Sequence, residues 1–158
     1  MALNASLLRG TIQKVLTPLG LYSPEAEELL MATCAQESLL GTFVAQVGGP
    51  ALGIFQMEPD TYMDIWKNYL AYHQSLGHQV AGLSRDSAMP ASELMLNDPY
   101  AIAMARVQYL RAPGALPPAT DLGAIWAYYK AHYNTPLGAA KQIDFYRHYH
   151  DLVQGPAR

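Results

Sequence analysis

Three pairs of a polar capping residue followed by proline, Ser23-Pro24, Asp98-Pro99 and Thr135-Pro136, punctuate this chain and precede apolar residues at helical spacing. Proline has no N–H and a fixed φ, so a helix accepts it in the first turn and rejects it from the interior. A chain divided in this way is expected to be mainly α-helical. Leu3 to Leu16 reads as an amphipathic first helix stopped by Pro18 and Gly20. After Ser23, the acids Glu25, Glu27 and Glu28 fall where the positive end of the helix dipole favours them. Pro59 to His73, the stretch from Asp98 to Leu110, and about Asp121 to Tyr133 show the same 3.6-residue period. Thr135-Pro136 opens a last helix running to about Leu152.

Two stretches break the pattern. Around residues 41–56 short apolar pieces alternate with Gly48, Gly49, Pro50 and Gly53, which suggests loops or a small β-hairpin. Between Gln74 and Pro90 the chain is polar and weakly patterned, and a mobile loop or lid is expected. With 158 residues, about half of them apolar, the chain has the size of one domain spanning residues 1–158.

The formal net charge is −3 with lysines and arginines scattered singly, so no basic stripe tracks a phosphate backbone and nucleic acid is not an expected partner. Cys34 stands alone, which excludes an internal disulfide and a multi-cysteine zinc site, and its place on an apolar stripe reads as a buried small hydrophobe. His73, His78, His132, His148 and His150 contain no His-x-x-x-His pair, and His148 and His150 point to different helix faces. No metal and no cofactor are expected. No segment is long and apolar enough to span a bilayer, and the stretch from Met1 to Pro18 does not read as a signal peptide.

Glu37 is the residue that calls for chemistry. It continues the row of Leu29, Leu30, Thr33 and Cys34, the apolar stripe of the second helix, at the point where a glycine-rich turn begins. Burial and the negative end of the helix dipole both disfavour its ionised form, which is how a protein prepares a general acid. A glutamate bonded to a backbone N–H near a helix end is the plainer alternative.

Glu37-Ser38 at a helix end is followed by Gly53-Ile54-Phe55-Gln56-Met57-Glu58-Pro59, by Asn97-Asp98-Pro99 with Tyr109-Leu110, and by Tyr133-Asn134. This order resembles the lysozyme-like superfamily, in the branch of soluble lytic transglycosylases and goose-type lysozymes, over about Ser23 to Tyr149. That family's pattern is a catalytic Glu followed by Ser, a Gly-x-x-Gln-x-x-Pro turn, an Asp-Pro or Asn-Pro helix start with a Tyr-Leu, and an Ala-Tyr-Asn. His132 departs from it, standing where the family usually has Ala.

The resemblance implies a lysozyme-like helical domain that cleaves the bond between N-acetylmuramic acid and N-acetylglucosamine in peptidoglycan glycan strands. Glu37 would be the catalytic acid, with Ser38, Gln56, Glu58, Tyr133 and Asn134 at the substrate. Gln56 reads equally as a sugar-binding amide and as a brace of its turn, and Ser38 as a support for Glu37 or a local cap. Tyr133 is expected to reach Glu37 or the substrate, and Asn134 to bind or to close its helix. Trp126, Tyr128 and Tyr129 read as core by spacing, one of them as a stacking surface for sugar.

No acid lies between Ser38 and Met57, so a close second carboxylate is missing from the segment that would supply it. A lytic transglycosylase, in which one Glu acts as acid and then as base, is therefore the favoured expectation. An inverting hydrolase with Glu58 as base is the alternative, and a helix-start acid before Pro59 the plainer reading of Glu58. A non-catalytic structural or virion component with this fold is a third. The resemblance further implies a bacteriophage product, released at lysis or injected with the virion, or a bacterial enzyme exported by a dedicated machine.

Overall fold

A computed structural model describes residues 1–46, 48–135 and 137–155. The chain is mainly α: α1 (Ala5–Leu16), α2 (Pro24–Ser38), α3 (Pro59–Asn68), α4 (Gln74–Ala81), α5 (Glu93–Leu96), α6 (Asp98–Leu110), α7 (Leu122–Tyr129) and α8 (Gln142–Tyr149). A 3₁₀ turn, Leu70–Tyr72, follows α3, and wider π turns extend α7 over Lys130–Asn134 and α8 over His150–Gln154. No helix among the described residues is long and apolar enough to cross a membrane.

The core forms around α2 and α6. Ten of the fifteen residues of α2 are buried, so it is a helix enclosed on several sides by α1, α6, α7 and α8. Helix α6 buries an unbroken run from Tyr100 to Val107. Each begins as its caps require: Ser23 Oγ accepts from Ala26 N at 3.0 Å, and Asn97 Oδ1 accepts from Tyr100 N at 3.2 Å. The cap of α6 is thus Asn97, with Asp98 and Pro99 the first helical residues, one position earlier than the Asp98-Pro99 pair suggested.

Two of the acids at the start of α2, Glu27 and Glu28, are tied down. Arg9 Nη1 reaches Glu27 at 3.0 Å and Glu28 at 2.7 Å, Gln13 and Tyr22 donate to Glu27, and the Tyr149 hydroxyl bonds Glu28. The cluster joins α1, the start of α2 and the end of α8.

Three expectations are corrected. Residues 41–56 form no hairpin: the described residues hold only isolated bridges, Ala45 to Leu52 and Leu52 to Met57. A ladder needs a run of paired donors, and Pro50 supplies none, while Gly53 and Gln56 take left-handed backbone (φ 79° and 48°) that ends pairing on either side of them. Val47 lies outside the described residues.

The expected lid at 74–90 is part helix and part anchored turn. Gly77 in α4 lets that helix close on the preceding segment, where an added Cβ would stand 3.2 Å from Leu70 O. The turns after it are held by buried Glu93, whose Oε2 accepts from Arg85 N at 2.9 Å, and by Asn97, which donates to Leu83 O at 2.8 Å. The anchors come from α5 and from the cap of α6, beyond the reach of a local reading.

The last helix starts at Gln142, with Lys141 at its N-cap position, not at Thr135. Thr135 has φ 74° and ψ 152°, incompatible with a helix start, and Pro136 lies outside the described residues.

Candidate active site

Helix α2 ends abruptly behind Glu37. Leu39 and Leu40 both take left-handed backbone, with φ 49° and 55°, and reverse the chain. Ser38 locks this corner: its fully buried Oγ donates to Ile54 O at 2.6 Å, with Cys34 O at 3.1 Å, and accepts from Gly41 N at 2.8 Å. Ser38 therefore fastens the turn at 53–59 to the end of α2, and it does not line the cleft beside Glu37.

That turn has its shape imposed by Gly53. An added Cβ there would stand 2.1 Å from Leu94 O, and the positive φ is strained for any other residue. Three residues on, Gln56 takes the left-handed conformation without being glycine, the kind of local strain that concentrates at functional sites. Its Nε2 donates to Gly53 O at 2.9 Å, so the bracing role is present, and the residue also lines the cleft.

The cleft has a volume of about 690 Å³. Glu37, Gln56, Glu58, Tyr133 and Asn134, drawn from three separate parts of the sequence, all line it. Glu58 stands at the N-cap position of α3 without making a capping bond, exposed and free to face a ligand. Asn134 Oδ1 accepts from Lys130 Nζ at 2.8 Å, and the same ammonium reaches Gly138 O at 2.6 Å, which fastens the loop after the π turn to that turn.

Glu37 is half-buried, and burial pushes its carboxyl up to about 7. Tyr129 opposes this: its hydroxyl donates to Glu37 Oε1 at 2.5 Å and favours the ionised form. Burial wins, so the group stands near half protonation at neutral pH with Oε2 left to carry a proton. Tyr133, expected to reach Glu37 or the substrate, does not bond Glu37: it lines the cleft and donates to Phe55 O at 2.7 Å, pinning the turn that carries Gln56.

Helical spacing explains the exchange. Tyr129 and Tyr133 are four residues apart on one face, with rings stacked at 6.1 Å, and the nearer of the two to α2 takes the carboxylate. Tyr109, whose hydroxyl shares a 2.7 Å hydrogen bond with Thr33, packs against Tyr133 at 5.2 Å and completes an aromatic wall behind the acid. Cys34 is buried beneath this wall, its thiol pushed up to about 12 by burial, and is unsuited to act as a nucleophile.

Sequence reasoning missed Gln46, Thr61 and Gln108, which also line the cleft. None carried a signal beyond being polar. Gln108 is distinctive in the structure, because its Oε1 is buried without a hydrogen-bond partner.

The arrangement offers one protonatable carboxyl in a cleft of amides, a hydroxyl and a second, exposed carboxylate. Such a set can donate a proton to a leaving oxygen and hold neutral polar groups by hydrogen bonds. Compared with protein-family models, curated proteins and solved structures, the chain matches none of them.

Proposed function

We propose that this protein is a peptidoglycan-cleaving muramidase of lysozyme-like fold, acting as a lytic transglycosylase with Glu37 as general acid and then base. The observation that carries the reading is the state of Glu37: a half-buried carboxyl raised to about 7, held through one oxygen by Tyr129, and facing the cleft that Gln56, Glu58, Tyr133 and Asn134 also line. Glu37-Ser38, the turn from Gly53 to Pro59, Asn97-Asp98-Pro99 with Tyr109-Leu110, and Tyr133-Asn134 stand in the order that resembles the family.

In this reading Glu37 Oε2 gives its proton to the glycosidic oxygen as the C1–O bond of N-acetylmuramic acid breaks. The substrate's acetamido oxygen bonds to C1 and carries the positive charge. Glu37, now a carboxylate, takes the proton of the same sugar's 6-hydroxyl, O6 displaces the acetamido oxygen from C1, and a 1,6-anhydro sugar leaves. The acid is regenerated without water. Raised to about 7, it is well placed to work in both directions.

A second reading rests on Glu58. It lines the same cleft, exposed and without a capping bond, where it could activate water in an inverting hydrolysis. A non-catalytic virion or structural role is the third reading, and a turbidity assay on permeabilised cells separates it from both. The substrate places the working compartment at the cell wall, reached by phage-type release, by virion injection or by dedicated export. Mass spectrometry of muropeptides released from purified sacculi tests the proposal. Anhydro ends support the transglycosylase, reducing ends the hydrolase, and no release refutes both.

A further inference from the structure

Glu37 and Asn134 stand on a saddle. On one side lies the cleft already described, whose charged side chains among the described residues are Glu37 and Glu58. On the other lies a second depression of about 360 Å³, which shares Glu37 and Asn134 and is lined by Gln36, Lys141, Asp144, Arg147 and His148. Beyond the acid the lining thus gains two cations, Lys141 and Arg147, against one further carboxylate, Asp144, in a chain whose net charge is −3.

The cations there are not consumed by the fold. Lys141 makes no ion pair among the described residues, and it is exposed at the start of α8. Arg147 meets only Asp144, one turn away at 2.9 Å on an exposed face, the kind of pair that contributes little to stability. His148 Nδ1 lies 3.0 Å from Gln36 Oε1, which fixes the ring at the rim. Burial and the Arg147 charge lower its pKa and keep it neutral, so Nε2 is left as an acceptor. Two cations, one partly offset by Asp144, thus border a polar hollow next to the candidate acid.

We infer that this second depression is a subsite for a carboxylate borne by a substituent of the sugar next to the cleaved bond. The inference rests on the muramidase reading. A glycan crossing the saddle with its scissile oxygen at Glu37 brings the neighbouring sugar's substituent over Lys141 and Arg147. A neutral sugar gains hydrogen bonds to its hydroxyls from the two cations, whereas a carboxylate gains ion-paired, stronger bonds from both. The carboxylate has two possible sources: the lactyl group itself, when its peptide has been removed, or the stem peptide attached to it.

The test uses soluble glycan strands, either carrying stem peptides or stripped of them by an amidase, each with and without conversion of its carboxylates to amides. kcat/KM is compared for the wild type and for Lys141→Gln/Arg147→Gln, two exposed positions whose replacement leaves the core intact. Amidation is expected to lower wild-type kcat/KM by about 10-fold on at least one strand type, mainly through KM, and to change the double variant's by less than about 2-fold. A loss confined to peptide-bearing strands assigns the peptide carboxylate, and a loss on stripped strands assigns the lactyl group. Wild-type indifference to amidation on both strands, or full discrimination by the double variant, overturns the subsite while leaving the muramidase standing. Failure of the wild type to cleave any strand overturns both.

Discussion

Tyr129 Oη and Glu37 Oε1 lie 2.5 Å apart, joining the end of α7 to the end of α2 across 92 residues of sequence. The bond fixes one carboxyl oxygen and leaves the other toward the cleft. It also stabilises the carboxylate, so it holds down a pKa that burial raises.

Removing that hydroxyl should therefore move the pH profile upward. In Tyr129→Phe the acid loses the only bond favouring its charge, and the alkaline fall in kcat/KM is expected above the wild-type value of about 7. Rate at the optimum should fall about 10- to 100-fold as the carboxyl loses its orientation. A profile that stays in place, or shifts down, would show that Tyr129 does not act on Glu37.

Glu37→Gln should abolish wall cleavage in a folded protein, because the amide keeps the shape and has no proton to transfer. Stability gives an independent sign. A folded-state pKa raised from 4.5 to about 7 means that the native state binds the proton more tightly than the unfolded chain. The wild type is therefore most favoured below about pH 4.5 on this account and loses stability as pH rises through about 7, by up to about 3 kcal/mol. The variant lacks this titration, so its advantage in thermal stability should grow between pH 5 and pH 8, an interval set by the same two values. Equal pH dependence of the two melting curves would refute the buried acid.

Much of the helical frame was legible because its signals are local. Ser23, Asp121 and the apolar stripes announce α2 and α7, and Glu37 stood out as the one charge continuing such a stripe. What escaped depended on distant partners. The segment before Pro90 is ordered by Glu93 and Asn97, and Ser38 is spent on Ile54 O, 16 residues away. Tyr129 and Tyr133 were both visible on one face, and only the placement of α2 against α7 decides which meets the acid. The start of α8 was misread because the cap-plus-proline rule has no knowledge of the positive φ at Thr135.

Gly53→Ala should be among the most damaging small substitutions. The methyl meets Leu94 O at 2.1 Å and the backbone sits at φ 79°, so both the turn and its packing on α5 must shift. A loss of about 2–4 kcal/mol is expected in chemical denaturation, with Gln56 displaced and activity reduced. A variant within about 0.5 kcal/mol of wild type would mean the turn is free to relax.

Gln108→Met should do the reverse. The thioether fills similar space and removes an acceptor that is buried without a partner, so stability is expected to rise by about 1 kcal/mol. Since Gln108 also lines the cleft, a concurrent rise in KM would show that its amide meets the substrate. Destabilisation would show instead that Oε1 finds a donor in solution.

Glu58→Gln separates the two mechanisms. Burial raises the Glu37 carboxyl against the opposing hydrogen bond from Tyr129, and Glu58 lines the same cleft. A retaining pair of carboxylates stands roughly 5–5.5 Å apart and an inverting pair roughly 6.5–9.5 Å, the wider spacing leaving room for a water. If Glu37 works alone, no water enters the first step, the products end in 1,6-anhydro-N-acetylmuramic acid, and Glu58→Gln retains most of its activity. If Glu58 activates water, each new end is a reducing sugar heavier by one water, and the same substitution costs about 100- to 10,000-fold in kcat. The first outcome is expected, because the segment between Ser38 and Met57 holds no acid and, among the described residues, Glu58 is the one other carboxylate in the cleft lining. Reducing ends together with an inactive Glu58→Gln protein would reassign the enzyme as an inverting hydrolase and leave Glu37 as its acid.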